Sequence, residues 1–282
     1  MCRMIGIIST KPTNPSKYLI DDECSLLIQA RKGEQSDGWG IGYYEKGKLR
    51  VFKSPNPVYE EEEVLRSFST QISSKLIIAH VRKASNPRGL PSHMLIGVEN
   101  SQPFFYKNYL FVHNGAIYMP DEVAETLGKY KDLIKGVNDS EVYFAYLVKE
   151  WETKGDVVEA IEAVERGLWN VLESSEKRLS RPYSSLNAIF SDGVRLYALT
   201  LYLVGKDIRS ICYEDSEYFR LAYYYDDDIL VVASERTNDN EWKLMNNGEL
   251  LIAELREGKV SYRVLKLNLR GLAHGQSESS KM

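Results

Sequence analysis

Two sets of short apolar runs flank a pair of amphipathic helical stretches, and this order limits the folds open to the chain more than any single residue does. The first set is MIGIIS (4–9), GWGIGYY (38–44), KLRVFK (48–53), KLIIAHV (75–81) and NYLFVHN (108–114). Each run is short and bounded by Gly, Asn, Asp or Pro, as strands are. The middle of the chain changes period. In 138–151, Phe144, Leu147, Val148 and Trp151 recur at helical spacing, with Asn138 or Asp139 placed to cap the start. In 155–173, Val157, Ile161, Val164, Leu168 and Leu172 form a second stripe. Strand-like runs then return at 185–193, 194–203, 227–234, 249–255 and 259–267. Strands, a helix pair and strands again predict an α+β fold with helices packed on antiparallel sheets, because alternating βαβ units would interleave the two periods.

No repeat and no Pro/Ser/Gly-rich linker divides the 282 residues, so one domain over 1–270 is expected, with a polar, flexible tail at 271–282. The net charge of −4 gives no general attraction to nucleic acid or to an anionic membrane. Near the N-terminus, Met4 to Ile8 is too short for the apolar core of a signal peptide, about 7–15 residues, or for a membrane span. A cytoplasmic location is expected. The three cysteines, Cys2, Cys24 and Cys212, are odd in number and widely spaced, which predicts neither a disulfide framework nor a zinc knuckle and suits a reducing compartment.

Several positions carry two readings. Cys2 is either a small buried residue at the head of a strand or a nucleophile uncovered by removal of Met1. In the second case its own α-amine, with a pKa of about 7.7–8, serves as the base and no catalytic histidine is needed. The run IIAHVRKASNPRG delivers His80 and Arg82 at a strand end, followed by Ser85 in a loop. Arg82 fits a surface ion pair or a ligand carboxylate, which its planar fork can bind through two bonds. Asn114-Gly115 ends LFVHNGAI as a hairpin turn, or as an oxyanion hole made of a side-chain amide and the next backbone N–H. Asp139, in NDSE, caps a helix or receives a ligand ammonium. The glycines of SDGWGIGYY suggest bulges or a close backbone approach.

Met1-Cys2, DGWGIGYY, AHVRKAS, ENSQPF, VHNGAI and NDSE occur in the order and rough spacing of class II glutamine amidotransferases, within the N-terminal nucleophile hydrolase superfamily. The chain resembles most the subfamily whose glutaminase domain stands alone. FSDGVRLYA and VVASERTNDNEWKLMNNGELLIA extend the likeness to about residue 255. The resemblance implies a four-layer αββα sandwich of two antiparallel sheets. It implies that Cys2 attacks the γ-carboxamide of glutamine or a related γ-glutamyl amide, with its α-amine taking the proton. Asn114 and the Gly115 N–H would stabilise the oxyanion, Arg82 would hold the substrate α-carboxylate and Asp139 its α-ammonium. His80 and Ser85 would support the site. No cofactor or metal is implied. The partner expected is a small-molecule substrate; with no synthase domain left over, either this chain hydrolyses a γ-glutamyl bond as its final reaction or a separate ammonia-accepting or peptidase subunit works with it. Three positions depart from the family pattern: Asn138 where Thr is frequent, Gln102 in place of a common His, and Lys83 where an aromatic residue or Gln is usual. They bear on substrate and acceptor preference. The loop 85–100 is a candidate lid that helps to select the leaving amine.

Other chemistries are less well supported. A metal hydrolase would draw on His80, His93 and His113 with Asp226–Asp228, yet no HExxH or His-x-His spacing is present. A papain-like pair would use Cys24 or Cys212, neither of which has a supporting motif. A non-catalytic γ-glutamyl-binding or regulatory protein on the same scaffold is the third reading, and retention of all the key residues argues against it. The acidic runs at 60–63 and 226–228 read as a solvated helical face and a solvated turn.

Overall fold

The computed structural model describes residues 2–203, 209–213 and 217–272. In chain order the elements are β1 (Arg3–Thr13), α1 (Leu26–Lys32), β2 (Trp39–Glu45), β3 (Lys48–Ser54), α2 (Glu62–Gln71), β4 (Ser74–Val81), α3 (Ser92–Leu95), β5 (Phe104–Tyr106), β6 (Tyr109–Asn114) and α4 (Pro120–Glu125). There follow α5 (Asp139–Lys154), α6 (Val157–Ser174), β7 (Asn187–Ser191), β8 (Leu196–Thr200), β9 (Ala222–Tyr225), β10 (Ile229–Ala233), β11 (Lys243–Leu244), β12 (Glu249–Arg256) and β13 (Lys259–Lys266). The strands form a seven-stranded sheet, β11-β9-β10-β1-β4-β2-β3, and a six-stranded sheet, β13-β12-β8-β7-β6-β5. Every strand pairing is antiparallel.

Side-chain alternation assigns the layers. On β1, Met4 and Ile8 join Leu76 and Ile78 of β4 against Leu110, Val112 and Ile189 of the second sheet. The intervening Ile5 and Ile7 pack with Ile77, Ala79 and Val81 under α1 and α2. On the second sheet, Phe111, Ala188 and Phe190 turn outward and pack against Phe144, Leu147 and Val148 of α5 and Ile161, Val164 and Leu168 of α6. Helices, sheet, sheet and helices make the expected αββα sandwich. Close contact of the sheets depends on Gly6, where an added Cβ would lie 2.6 Å from Ile189 Cγ2 and 3.0 Å from Leu196 Cδ1.

All ten strand-like runs and both helices appear near their expected positions. Asn138 is the cap of α5, accepting from Ser140 N at 2.9 Å; Asp156 caps α6 through Val158 N and Glu159 N. Helices α1 and α2 and strands β5, β9 and β11 were not anticipated; each is ten residues or shorter. The acidic run at 60–63 is only partly solvated, because Glu61 Oε2 accepts from the Trp39 indole at 2.7 Å. Asp226–Asp228 is the expected turn, with Asp226 Oδ1 accepting from Asp228 N and Ile229 N. Gly271, the first residue of the expected tail, is buried, and its N–H donates to Glu165 Oε1 at 2.8 Å. Residues 273–282 of the expected tail lie outside the described residues.

The cysteine expectation is corrected. Cys24 and Cys212 form a disulfide across 188 residues of sequence, leaving Cys2 as the free cysteine. Spacing along the chain concealed the pair, since the thiols meet only when the segment after β8 folds back against the entry to α1. The cysteine count therefore no longer supports a reducing compartment. Among the described residues no helix is long and apolar enough to cross a membrane.

Replacing Gly6 with Val should cost about 1–3 kcal/mol, because the new side chain has to displace Ile189 and Leu196 across the sheet interface. Urea unfolding measures this, and a loss under about 0.5 kcal/mol would mean that the sheets part easily there.

Candidate active site

Cys2 stands immediately before β1, a strand hydrogen-bonded on both edges, to β4 and β10. It is 8% exposed, and its thiol donates to the Lys83 carbonyl at 3.4 Å. Burial pushes the thiol pKa up. The positive charge at the chain start, the Lys83 contact and Arg82 oppose that rise, while Asp139 adds to it. A resting thiol in this setting is protonated and needs a base in order to attack.

Antiparallel pairing of Arg3 with Val81 brings the end of β4 alongside Cys2, so the next residue is Arg82. Arg82 is 2% exposed. Its Nη1 donates to the carbonyls of Leu95 at 2.7 Å and Asp37 at 3.2 Å, which leaves Nε and Nη2 without a hydrogen-bond partner among the described residues. Asp37 braces the same corner: its N–H donates to the Arg82 carbonyl at 3.0 Å, and its Oδ2 accepts from Ala84 N at 2.7 Å. Burial lowers the Arg82 pKa, and Cys2, Asp37 and Asp139 counter it. A guanidinium remains charged under such pressure.

Asp139 opens α5 and is 1% exposed. Because Asn138 supplies the cap, the Asp139 carboxylate is directed elsewhere. Its Oδ1 accepts from Ser85 Oγ at 2.6 Å and its Oδ2 from Ile117 N at 2.8 Å. A carboxylate has about four acceptor positions, so two bonds leave room for a ligand ammonium. Ser85 is thus joined to Asp139.

Asn114 ends β6 and is 1% exposed. Its Oδ1 is buried and lacks a hydrogen-bond partner among the described residues. The preceding His113 is locked: Nδ1 meets Ser140 Oγ and Nε2 meets the Ser185 carbonyl, both at 2.9 Å. Gln102, one of the departures from the family pattern, grips the His113 backbone, accepting from N at 2.6 Å and donating to O at 3.1 Å. At Gly115 a Cβ would fall 2.1 Å from the Ser185 carbonyl oxygen, so only glycine lets the turn approach that backbone. The turn is therefore held from several sides. Sequence reasoning missed this support from Gln102 and Ser140, and a separate tie made by Asn100. Asn100 Oδ1 accepts from Val137 N, and its carbonyl accepts from Asn138 Nδ2, which ties the 92–100 loop to the start of α5. The third departure, Lys83, is exposed; its Nζ lies 3.5 Å from Glu34, and its carbonyl is the one that meets Cys2.

His80 is also buried, but neither ring nitrogen has a hydrogen-bond partner of good geometry among the described residues, so it is not joined to Cys2, Arg82 or Asp139. Burial and the Arg82 charge push its pKa down to about 3, against a weaker opposing pull from the His113 backbone. The three histidines do not assemble a metal centre. His93 is exposed on α3, and the one group of metal-capable side chains found among the described residues is Cys24, Cys212 and Glu235, whose sulfurs form the disulfide. The disulfide equally removes Cys24 and Cys212 as papain-like nucleophiles.

His80 makes stability depend on pH. It is neutral in the fold and takes up a proton when unfolded below about pH 6.5. Its contribution is complete above that pH and is lost as pH falls toward about 3, by up to about 1.4 kcal/mol per pH unit. Urea midpoints taken between pH 7 and pH 4 should therefore drop more steeply in the wild type than in His80→Asn; parallel curves would count against a neutral buried imidazole.

The model of the family described as "Glutamine amidotransferases class-II" matches residues 1–274. An uncharacterised protein of Methanocaldococcus jannaschii is 29% identical, over 93% of this chain and 71% of its own. A γ-glutamyl-hercynylcysteine sulfoxide hydrolase of Mycobacterium tuberculosis is 25% identical, over 71% of this chain and 76% of its own. The solved structure of a class II glutamine aminotransferase domain protein from Silicibacter pomeroyi superposes with a TM-score of 0.62 at 18% identity, covering 93% of this chain and 98% of the other, which is evidence of a shared fold. With the fold and the family match together, the chain belongs to the class II glutamine amidotransferases, a family of enzymes with the N-terminal nucleophile hydrolase fold.

Proposed function

We propose that this protein hydrolyses the γ-amide bond of glutamine or of a γ-glutamyl amide or peptide through a thioester on Cys2. The observation that carries the reading is the meeting of a buried free thiol with two buried charges of opposite sign, Arg82 and Asp139, each with bonding capacity left over. A γ-glutamyl head group presents a carboxylate and an ammonium to match them, and its γ-carbonyl is the electrophile.

Removal of Met1 would place the α-amine on Cys2 itself. The amine, directly or through water, takes the thiol proton as sulfur adds to the γ-carbonyl carbon. Asn114 Nδ2 and the Gly115 N–H donate to the oxyanion. Collapse expels ammonia or an amine, which takes a proton from the α-ammonium. Water then adds to the γ-glutamyl thioester, and glutamate leaves with the free thiol restored. The closed site also requires the 85–100 loop to move before substrate enters. Arg88 holds that loop, through Nε to Asp121 Oδ1 at 2.7 Å and Nη1 to the Val137 carbonyl at 2.6 Å. We assign to the loop the choice of leaving amine. The likeness to the mycobacterial hydrolase supports a γ-glutamyl substrate carrying more than ammonia. The released amine is the final product, or a separate subunit takes the ammonia, and the location proposed is cytoplasmic.

Intact mass measured before and after treatment with a diazo-ketone analogue of glutamine tests the head group and the nucleophile together. The expected result is loss of Met1 and one adduct on Cys2; a chain that keeps Met1 and takes no adduct overturns the reading. Cys2→Ala should abolish turnover with the fold intact. Asn114→Ala should lower kcat by about 10²–10³-fold, the usual effect of losing one oxyanion donor, and a change below about threefold would remove Asn114 from that role.

A further inference from the structure

Behind the nucleophile lies a charged group that none of the chemistry above uses. Arg3, the residue after Cys2, is fully buried, and its Nη2 meets Glu235 Oε1 at 2.8 Å. Its guanidinium carbon sits 3.5 Å from the centre of the Tyr218 ring. Glu235 follows β10, the strand beside β1 on the edge away from β4. The same carboxylate accepts from Ser210 Oγ at 2.5 Å, Ile211 N at 2.6 Å and Cys212 N at 2.9 Å. The Cys24–Cys212 disulfide anchors that donor segment to the entry of α1. One residue earlier, Ser234 and Met4 exchange bonds, Ser234 N to the Met4 carbonyl at 2.9 Å and Met4 N to Ser234 Oγ at 3.1 Å. The start of β1 is thus held from the β10 side by charge and hydrogen bonds, where a strand beginning would ordinarily fray.

We propose that Glu235 is a positioning residue for Cys2: through Arg3 it fixes the first residues of β1, and it neutralises the buried charge of the residue that follows the nucleophile in the chain. The inference rests on the nucleophile reading of Cys2. The charged or titratable groups acting on Cys2 are the positive charge at the chain start, Arg82 at the end of β4, Asp139 at the start of α5 and Tyr218 in the segment before β9; Arg3 is the next residue along, with its partner Glu235 after β10. Of the two guanidiniums, Arg82 is reserved for a ligand carboxylate, whereas Arg3 is spent on Glu235. A neutral Glu235 would leave Arg3 uncompensated in a buried place, and its field would favour the thiolate and the unprotonated amine.

Two variants test this in the whole protein. In Glu235→Gln the pH midpoint of Cys2 alkylation by iodoacetamide should fall, by on the order of half to one pH unit. The double variant Arg3→Met/Glu235→Leu removes both charges in favour of apolar groups, an exchange that buried ion pairs often tolerate. It should keep its fold by circular dichroism and recover the wild-type midpoint. Its kcat on a γ-glutamyl amide should nevertheless fall about tenfold, one power of ten in rate, with KM within about twofold because Arg82 and Asp139 are untouched. An unmoved alkylation midpoint in Glu235→Gln, or a folded double variant with wild-type kcat, overturns the proposal. If Glu235→Gln does not fold, the double variant decides. A wild-type protein that cleaves no γ-glutamyl substrate refutes the hydrolase reading alone, and the alkylation midpoints still decide the role of Glu235.

Discussion

The antiparallel pairing of β1 with β4 on one edge and β10 on the other is the constraint on which the rest depends. It places the beginning of the chain in the middle of a seven-stranded sheet, with a second sheet on one face and helices on the other. A terminus is normally the least ordered part of a domain. Here it is covered on both faces and paired on both edges. A thiol at position 2 thereby gains the fixed surroundings that a nucleophile requires, without a loop or a turn to carry it.

The polar groups around that point are arranged by the same geometry. Arg82 leaves β4 beside Cys2 because the register sets Val81 opposite Arg3. Asp139 is free to face Ser85 and Ile117 because Asn138 takes over the capping of α5. His113, locked by Ser140, Ser185 and Gln102, holds the Asn114-Gly115 turn rigid. Rigidity of this kind matters most for an oxyanion hole, whose donors are worth most when they need no reorganisation as charge develops. Within that frame the buried Oδ1 of Asn114 has no hydrogen-bond partner among the described residues, and buried Arg82 and Asp139 keep bonding capacity beyond the bonds they make.

The long, regular elements were legible in the sequence because each carries its own period. Met4 and Ile8 face one way along β1, Ile5 and Ile7 the other, and the stripes of α5 and α6 repeat at helical spacing. Short elements were not. Helix α1 spans seven residues and β11 two, too few for a period to stand out, and both exist because the sheet offers them a surface or an edge. The acidic run at 60–63 was read as solvated because its sequence shows charge alone; Glu61 turns inward because the Trp39 indole N–H is buried beside it and needs an acceptor.

For the candidate site, the sequence by itself determined the chemical inventory: a thiol at position 2, Arg82 at a strand end, Asn114-Gly115 after a strand, and Asp139 at a helix start. Local pattern suffices for these, since a strand or helix boundary fixes where its last residue can point. The tertiary structure alone decided which groups share an environment. It joined Ser85 to Asp139, left His80 buried and apart, paired Cys24 with Cys212, and set Glu235 against Arg3, the residue after Cys2. Those partners are separated by 54, 188 and 232 residues. Contacts over such distances depend on how two sheets and their connecting segments close on one another, and no local period records that.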